Sequence, residues 1–155
     1  MARHTCGMKL LITTQAVDSD DPILGFFHQW IEAFATQCET VTVICLREGN
    51  HHLPANVEVL SLGKEKGASR LTRVVRFYRL IIAHRREYEA VFVHMNPEYV
   101  VLGGPLWRFW RKRTVLWYTH KNVDLKLRVA TFFANAVAPY PCVSGPLTGF
   151  KRTPG

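Results

Sequence analysis

Apolar residues gather into short unbroken runs, and the stretches between them repeat at helical spacing. Lys9–Gln15, Val41–Leu46, Val57–Leu62, Glu89–His94 and Thr114–Thr119 read as strands. These runs are continuous rather than alternating, which is the pattern of strands buried on both faces. The prediction is an α/β chain with a parallel sheet covered by helices. Ile23–Gln37 sets Phe26, Phe27, Trp30, Ile31 and Phe34 at helical intervals, with Pro22 placed for its first turn and acids ahead of it to suit the dipole. Ser69 is placed to cap a helix over Arg70–Arg86. Leu71, Val74, Val75, Tyr78, Ile81 and Ile82 fall on one arc of that helix, and Arg73, Arg76, Arg79 and Arg86 on the other. Pro97 suits the first turn of a helix over Glu98–Trp110, with a kink or break expected at Gly103-Gly104-Pro105. Asp124–Ala136 completes the helices. Residues 138–155 hold four Pro and three Gly with no period, so they read as a flexible or disordered tail.

The 155 residues suffice for one domain. No apolar run approaches the roughly 18 residues of a membrane span, and the first residues lack the apolar core of a signal peptide. The cytoplasm is the expected location. Charge is divided unevenly. Residues 1–63 carry 3 Lys/Arg against 7 acids, net −4, while residues 64–128 carry 15 against 5, net +10. That asymmetry points to an anionic partner, set against a plain solvated basic surface. Cys6, Cys38, Cys45 and Cys142 form no CxxC and accompany no paired histidines, so no metal site is expected, and Cys38 and Cys45 read as small core residues.

The dinucleotide fingerprint GxGxxG, the P-loop, GxSxG and HExxH are all absent. Polar residues at predicted strand ends remain. Ligands of open parallel sheets bind at the carboxyl ends of strands, so these positions carry the candidate chemistry. Gly25 lies in the first turn of a helix, where its lack of a side chain would let a phosphate or sugar reach the amides; a purely structural glycine is the other reading. His94 and Asn96 end the fourth strand. His120, Lys121 and Asn122 end the fifth. The segment Trp107, Arg108, Trp110, Arg111, Lys112 and Arg113 mixes aromatics with cations. It fits a bilayer surface, a helix end with a basic last turn, or base stacking on a nucleic acid.

Five strings in order give these residues a wider setting: KLLITTQAVDSDDPILGFFHQWIEAFA, VTVICL, VEVLSLGKEKGASRL, AVFVHMNPEYVVLGG and VLWYTHKNVDLKLRVA. Together they span about residues 8–136. The chain resembles the N-terminal, acceptor-side half of a bacterial family 4 glycosyltransferase of GT-B architecture. The resemblance implies a Rossmann-like domain over residues 8–137 with helices on both faces, preceded by an extension, 1–7. It implies retaining, metal-independent transfer of a sugar from a nucleotide-sugar, which serves as co-substrate with no other cofactor. His120 would contact the donor sugar as the catalytic-site histidine. Gly25 would lie near the donor phosphates, and His94, Asn96, Lys121 and Asn122 would line the cleft. A glycan or lipid-linked anionic acceptor follows from the basic half. Arg73, Arg76, Arg79 and the Trp107–Arg113 segment would meet an anionic membrane on its cytoplasmic face, and nucleic acid is not expected. Family members continue into a donor-binding second domain that this chain does not contain. The expectation is a truncated form, inactive alone, with a non-catalytic Rossmann-like binding module or partner subunit as the alternative.

Overall fold

A computed structural model describes residues 6–118 and 125–138. The chain divides after Glu89 into two compact units.

In the first unit, β1 (Cys6–Val17), β2 (Cys38–Glu48) and β3 (Val57–Ser61) are all parallel, in the order β3-β2-β1. Helix α1 (Gly25–Gln37) connects β1 to β2, and α2 (Arg70–Ala83) follows β3 after a 3-10 turn at Lys64–Lys66. The core is the one the apolar runs predict: Leu11, Ile12, Val43 and Ile44 from the strands, Phe27 and Ile31 from α1. Cys38 and Cys45 are buried among them as small apolar residues. No loop separates α1 from β2. The Asn56 side chain seals that junction by donating to the carbonyls of Ala35 and Cys38 at 2.9 and 3.2 Å. Both strands outrun their predicted limits, and β1 begins at Cys6, inside the expected extension 1–7. Pro22 stands in the turn before α1 rather than in its first helical turn.

The Ser69 hydroxyl accepts from the Thr72 amide, as its capping role requires. The helix it caps is rotated from the expected orientation. Phe77 and Ile81 are buried, whereas Leu71 is 74% exposed, Val75 52% and Ile82 43%. Phe77, absent from the predicted arc, is the largest apolar side chain of the helix, and the packed face centres on it. Tyr88, just beyond, anchors the exit by donating its hydroxyl to the Ile81 carbonyl at 3.1 Å.

The second unit holds β4 (Ala90–His94), α3 (Pro97–Phe109), β5 (Arg113–Trp117), α4 (Leu125–Phe133) and β6 (Ala136–Ala138). Its strands are again parallel, in the order β4-β5-β6. Two expectations are revised here. Helix α3 runs without a break through Pro105. The glycines serve packing instead: a Cβ on Gly104 would lie 2.6 Å from the Phe133 Cβ of α4, and one on Gly103 2.6 Å from the Trp107 ring. The helix predicted to reach Ala136 ends at Phe133, and a strand follows. Asn135 sets its register, accepting from the Thr114 amide at 2.7 Å through its side chain and donating its own amide to the Thr114 carbonyl at 2.8 Å.

Candidate functional site

In the first unit the strand register brings Val17 beside Glu48, so the segments leaving β1 and β2 meet at the carboxyl end. The β1–α1 loop is tied down there. The Ser19 amide donates to the Asn50 carbonyl at 2.7 Å, and Asn50 Nδ2 donates to Asp20 at 2.9 Å. Arg47 pairs with Asp21 at 2.5 Å and lies 4.0 Å from Asp18. Asp21 also accepts from the amides of Ile23 and Leu24, each at 2.8 Å. Those two amide bonds, followed by Arg47, hold its carboxyl below the ordinary aspartate range.

Gly25 is the first residue of α1, as its predicted place requires, but its amide donates to the Asp21 carbonyl at 2.9 Å. The Gly25 amide is thus spent on a backbone carbonyl, while the Asp21 carboxylate holds the two amides of the turn just ahead of the helix, so a phosphate in that turn would have to displace a carboxylate. A Cβ on Gly25 would lie 2.9 Å from the Ser19 carbonyl oxygen. The glycine lets the loop fold back onto the helix. Gly25→Ala should therefore cost about 1–3 kcal/mol of stability, the usual penalty of overpacking, and urea unfolding measures it. An unchanged midpoint would show that the loop shifts freely.

Ser61 ends β3, and Glu65 lies in the 3-10 turn that follows. The Ser61 hydroxyl donates to both carboxylate oxygens at 2.8 and 2.9 Å. Desolvation pushes the Glu65 carboxyl up, but its hydrogen bonds outweigh it and the net shift is downward. Burial, then Glu48 and Glu65, push the Cys45 thiol up to about 12, so it is no nucleophile at neutral pH.

In the second unit His94 ends β4, directly opposite Trp117 of β5. It is 0% exposed, and its ring stacks on the indole with centroids 5.0 Å apart and planes 14° off parallel. Burial lowers its pKa from 6.5 to about 4, so it is neutral at physiological pH. Expected to face a cleft, it is enclosed instead. Met95 follows with φ 59°, a left-handed conformation that costs an L-residue energy and turns the chain sharply between strand and helix. Asn96 is the N-cap of α3, its side chain accepting from the Glu98 amide at 3.1 Å. His120, Lys121 and Asn122 lie outside the described residues.

The residues assigned to an anionic surface divide into several environments. Trp107 is 0% exposed, one of the largest side chains of the core, and cannot meet a bilayer. This corrects the surface role expected of it: α3 turns the indole inward, against its own glycine face. Arg108, Arg111 and Arg113 are exposed, and Trp110 and Lys112 half-buried. The Arg108 guanidinium sits 5.3 Å from the Phe132 ring centre. On α2, Arg79 is exposed and Arg76 donates to the Leu62 carbonyl at 3.2 Å. Arg73 is half-buried, and its Nε has no hydrogen-bond partner among the described residues.

Two features escaped the sequence reading. Glu58, His84 and Glu87 bring one donor atom each within 4.8 Å of one another, a set that could hold a divalent cation. A pocket of about 330 Å3 opens beside them, lined by Lys9, Thr40, Asn56, Glu58 and Glu87 among others. No spacing rule links a strand residue to a turn 26 positions later, so nothing local announced either one.

Neither a protein-family pattern nor a curated protein sequence matches the chain. Among solved structures it is similar to the UDP-GlcNAc 2-epimerase of Methanocaldococcus jannaschii, at 12% identity and a TM-score of 0.53 over 84% of this chain. The match spans 38% of the epimerase chain. The likeness shows the fold: a Rossmann-like α/β arrangement of parallel strands and connecting helices.

Proposed function

We propose that the chain is the acceptor-side half of a GT-B type glycosyltransferase, resembling family 4, which moves a sugar from a nucleotide-sugar to an anionic or lipid-linked acceptor with retention and without a metal ion. The observation that carries this reading is the shared fold with an enzyme whose name places UDP-GlcNAc in its chemistry. The five ordered strings over residues 8–136 support it. His120 would contact the donor sugar, with Lys121 and Asn122 beside it. Charge developing at the sugar and on the leaving diphosphate needs donors preorganised on both sides of a cleft that excludes water. Residues of one half supply one side, so the chain alone should turn over little or no substrate.

One set of observations favours the non-catalytic alternative. The Gly25 amide is taken by the Asp21 carbonyl, Asn96 is spent on a cap and His94 is enclosed. Three of the predicted cleft positions therefore do structural work.

The test is transfer from radiolabelled UDP- and GDP-sugars to polyprenyl-phosphate and glycan acceptors, by this chain and by the full product of its genomic locus. The expected result is transfer by the longer product, unaffected by EDTA, lowered by roughly 100-fold or more in His120→Ala, with next to none by the 155-residue chain. Absence of transfer from every donor, with a stable protein partner co-purifying, would overturn the reading in favour of the binding module.

A further inference from the structure

Three elements of the first unit bring metal-ligating side chains together near the amino ends of its strands. Glu58 is the second residue of β3, held in register beside Thr42 of β2. His84 closes α2, its amide donating to the Leu80 carbonyl at 3.0 Å. Glu87 lies in the turn that follows, its amide donating to the His84 carbonyl at 2.8 Å. The Glu89 amide then ties that turn to the Lys9 carbonyl of β1 at 2.9 Å. The backbone at each of the three positions is thus fixed by the fold itself. One donor atom from each side chain lies within 4.8 Å of the other two, and His84 Nδ1 stands 2.6 Å from a Glu87 carboxylate oxygen. Two carboxylates share one imidazole, so negative charge is in surplus. Two cations beside the set are engaged elsewhere: Arg85 donates to the Ile82 carbonyl at 3.1 Å, and Lys9 pairs with Glu39 at 3.9 Å.

The donor set selects the ion. Magnesium and calcium prefer oxygen ligands throughout, whereas an imidazole beside carboxylates suits zinc and its first-row neighbours. Around a tetrahedral zinc with bonds of about 2.0–2.1 Å, donors stand roughly 3.3 Å apart. Reaching that spacing from 4.8 Å asks only for side-chain rotation, and both glutamates are exposed and free of packing that would resist it. Three protein ligands leave a fourth position, and the pocket of about 330 Å3 lined by Glu58 and Glu87 has room for the water that would fill it. We infer that Glu58, His84 and Glu87 bind one zinc ion, which clasps the start of β3 to the end of α2 and the turn beyond it. The ion replaces the proton that His84 and Glu87 share and neutralises both carboxylates. Glu58 precedes Ser61, the carboxyl end of β3, by three residues, or roughly 10 Å of strand. The site is therefore set back from the strand ends where ligands of such sheets bind, and its role is structural. The inference is independent of the glycosyltransferase reading, whose chemistry runs through no metal.

The experiment is calorimetric titration of the 155-residue protein, stripped with EDTA and exchanged into clean buffer, with zinc, magnesium and calcium chlorides in turn. Zinc should bind tightest, and it should raise the urea midpoint. Glu58→Gln, His84→Ala and Glu87→Gln should each weaken zinc binding by roughly tenfold or more, since even the outer partners of metal ligands are worth that much. None of the three side chains is buried, so the variants should fold, with circular dichroism as the check. His51→Ala is the control. It breaks a similar pair, His51 Nε2 to Glu48 at 3.0 Å, that has no third donor, and it should leave the affinity unchanged. Hydrogen exchange reads the clasp directly: zinc should slow the Glu87 and Glu89 amides in the wild type and not in Glu58→Gln. Zinc binding unchanged in the three variants would overturn the inference in favour of a site elsewhere in the chain. So would magnesium or calcium binding as tightly as zinc, no binding by the folded protein, or exchange at Glu87 and Glu89 indifferent to zinc.

Discussion

Replacing Trp107 by alanine should cost about 3–5 kcal/mol of stability, the range for truncating a large buried aromatic. The indole is fully enclosed, with its ring against the Gly103 Cα side of the same helix. A Cβ at Gly103 would stand 2.6 Å from that ring, so the backbone packs directly on the indole there and Gly103 brings no side chain to fill the void. Collapse of the site is therefore limited, which favours the upper part of the range. Urea unfolding followed by circular dichroism measures the loss. Full stability in Trp107→Ala would return the residue to the surface role its sequence context suggests.

Acid should destabilise the protein through His94. Its pKa is about 4 when folded and 6.5 as an ordinary histidine. Above pH 6.5 both states carry a neutral ring and the enclosure costs nothing in protonation. As pH falls from 6.5 toward 4 the unfolded chain takes up a proton that the folded chain refuses, and stability drops. The full difference amounts to about 3 kcal/mol, reached near and below pH 4. His94→Phe keeps an aromatic ring over Trp117 and removes the titration, so its stability should vary less with pH than that of the wild type across this window. The measurement is the urea midpoint of both proteins from pH 7.5 to 4. Parallel curves would mean that His94 is protonated in the fold and open to water.

The strands were legible because a buried parallel strand is an uninterrupted apolar run, and VTVICL or AVFVH admits few other readings. β6 escaped because Ala136, Val137 and Ala138 are equally acceptable in a helix, and only the distant bridge from Asn135 to Thr114 makes them a strand. For α2 the period was right and the orientation wrong. Hydrophobic spacing marks an apolar arc, but which part of the arc the sheet covers is settled by side-chain bulk, and there Phe77 displaced Leu71 and Val75. The candidate site was legible only as a set of positions. Asn96 and Gly25 stood out correctly at a strand end and a helix start. Their tasks are fixed by hydrogen bonds to groups whose placement a linear pattern does not carry, such as Asn50 reaching Asp20 from thirty positions away.

Asp21 gives the turn leading into α1 a resident anion, and the result can be put in terms of competition. An external phosphate approaching these amides meets a rival tethered to the same loop, whose effective concentration is set by a few covalent bonds rather than by supply. The apparent affinity for any such ligand is the intrinsic affinity multiplied by the fraction of molecules in which the carboxylate has swung aside. Arg47 keeps that fraction small, because moving Asp21 also abandons an ion pair. That turn behaves as a site already filled by its own chain, and a ligand strong enough to enter would release the β1–α1 loop in doing so.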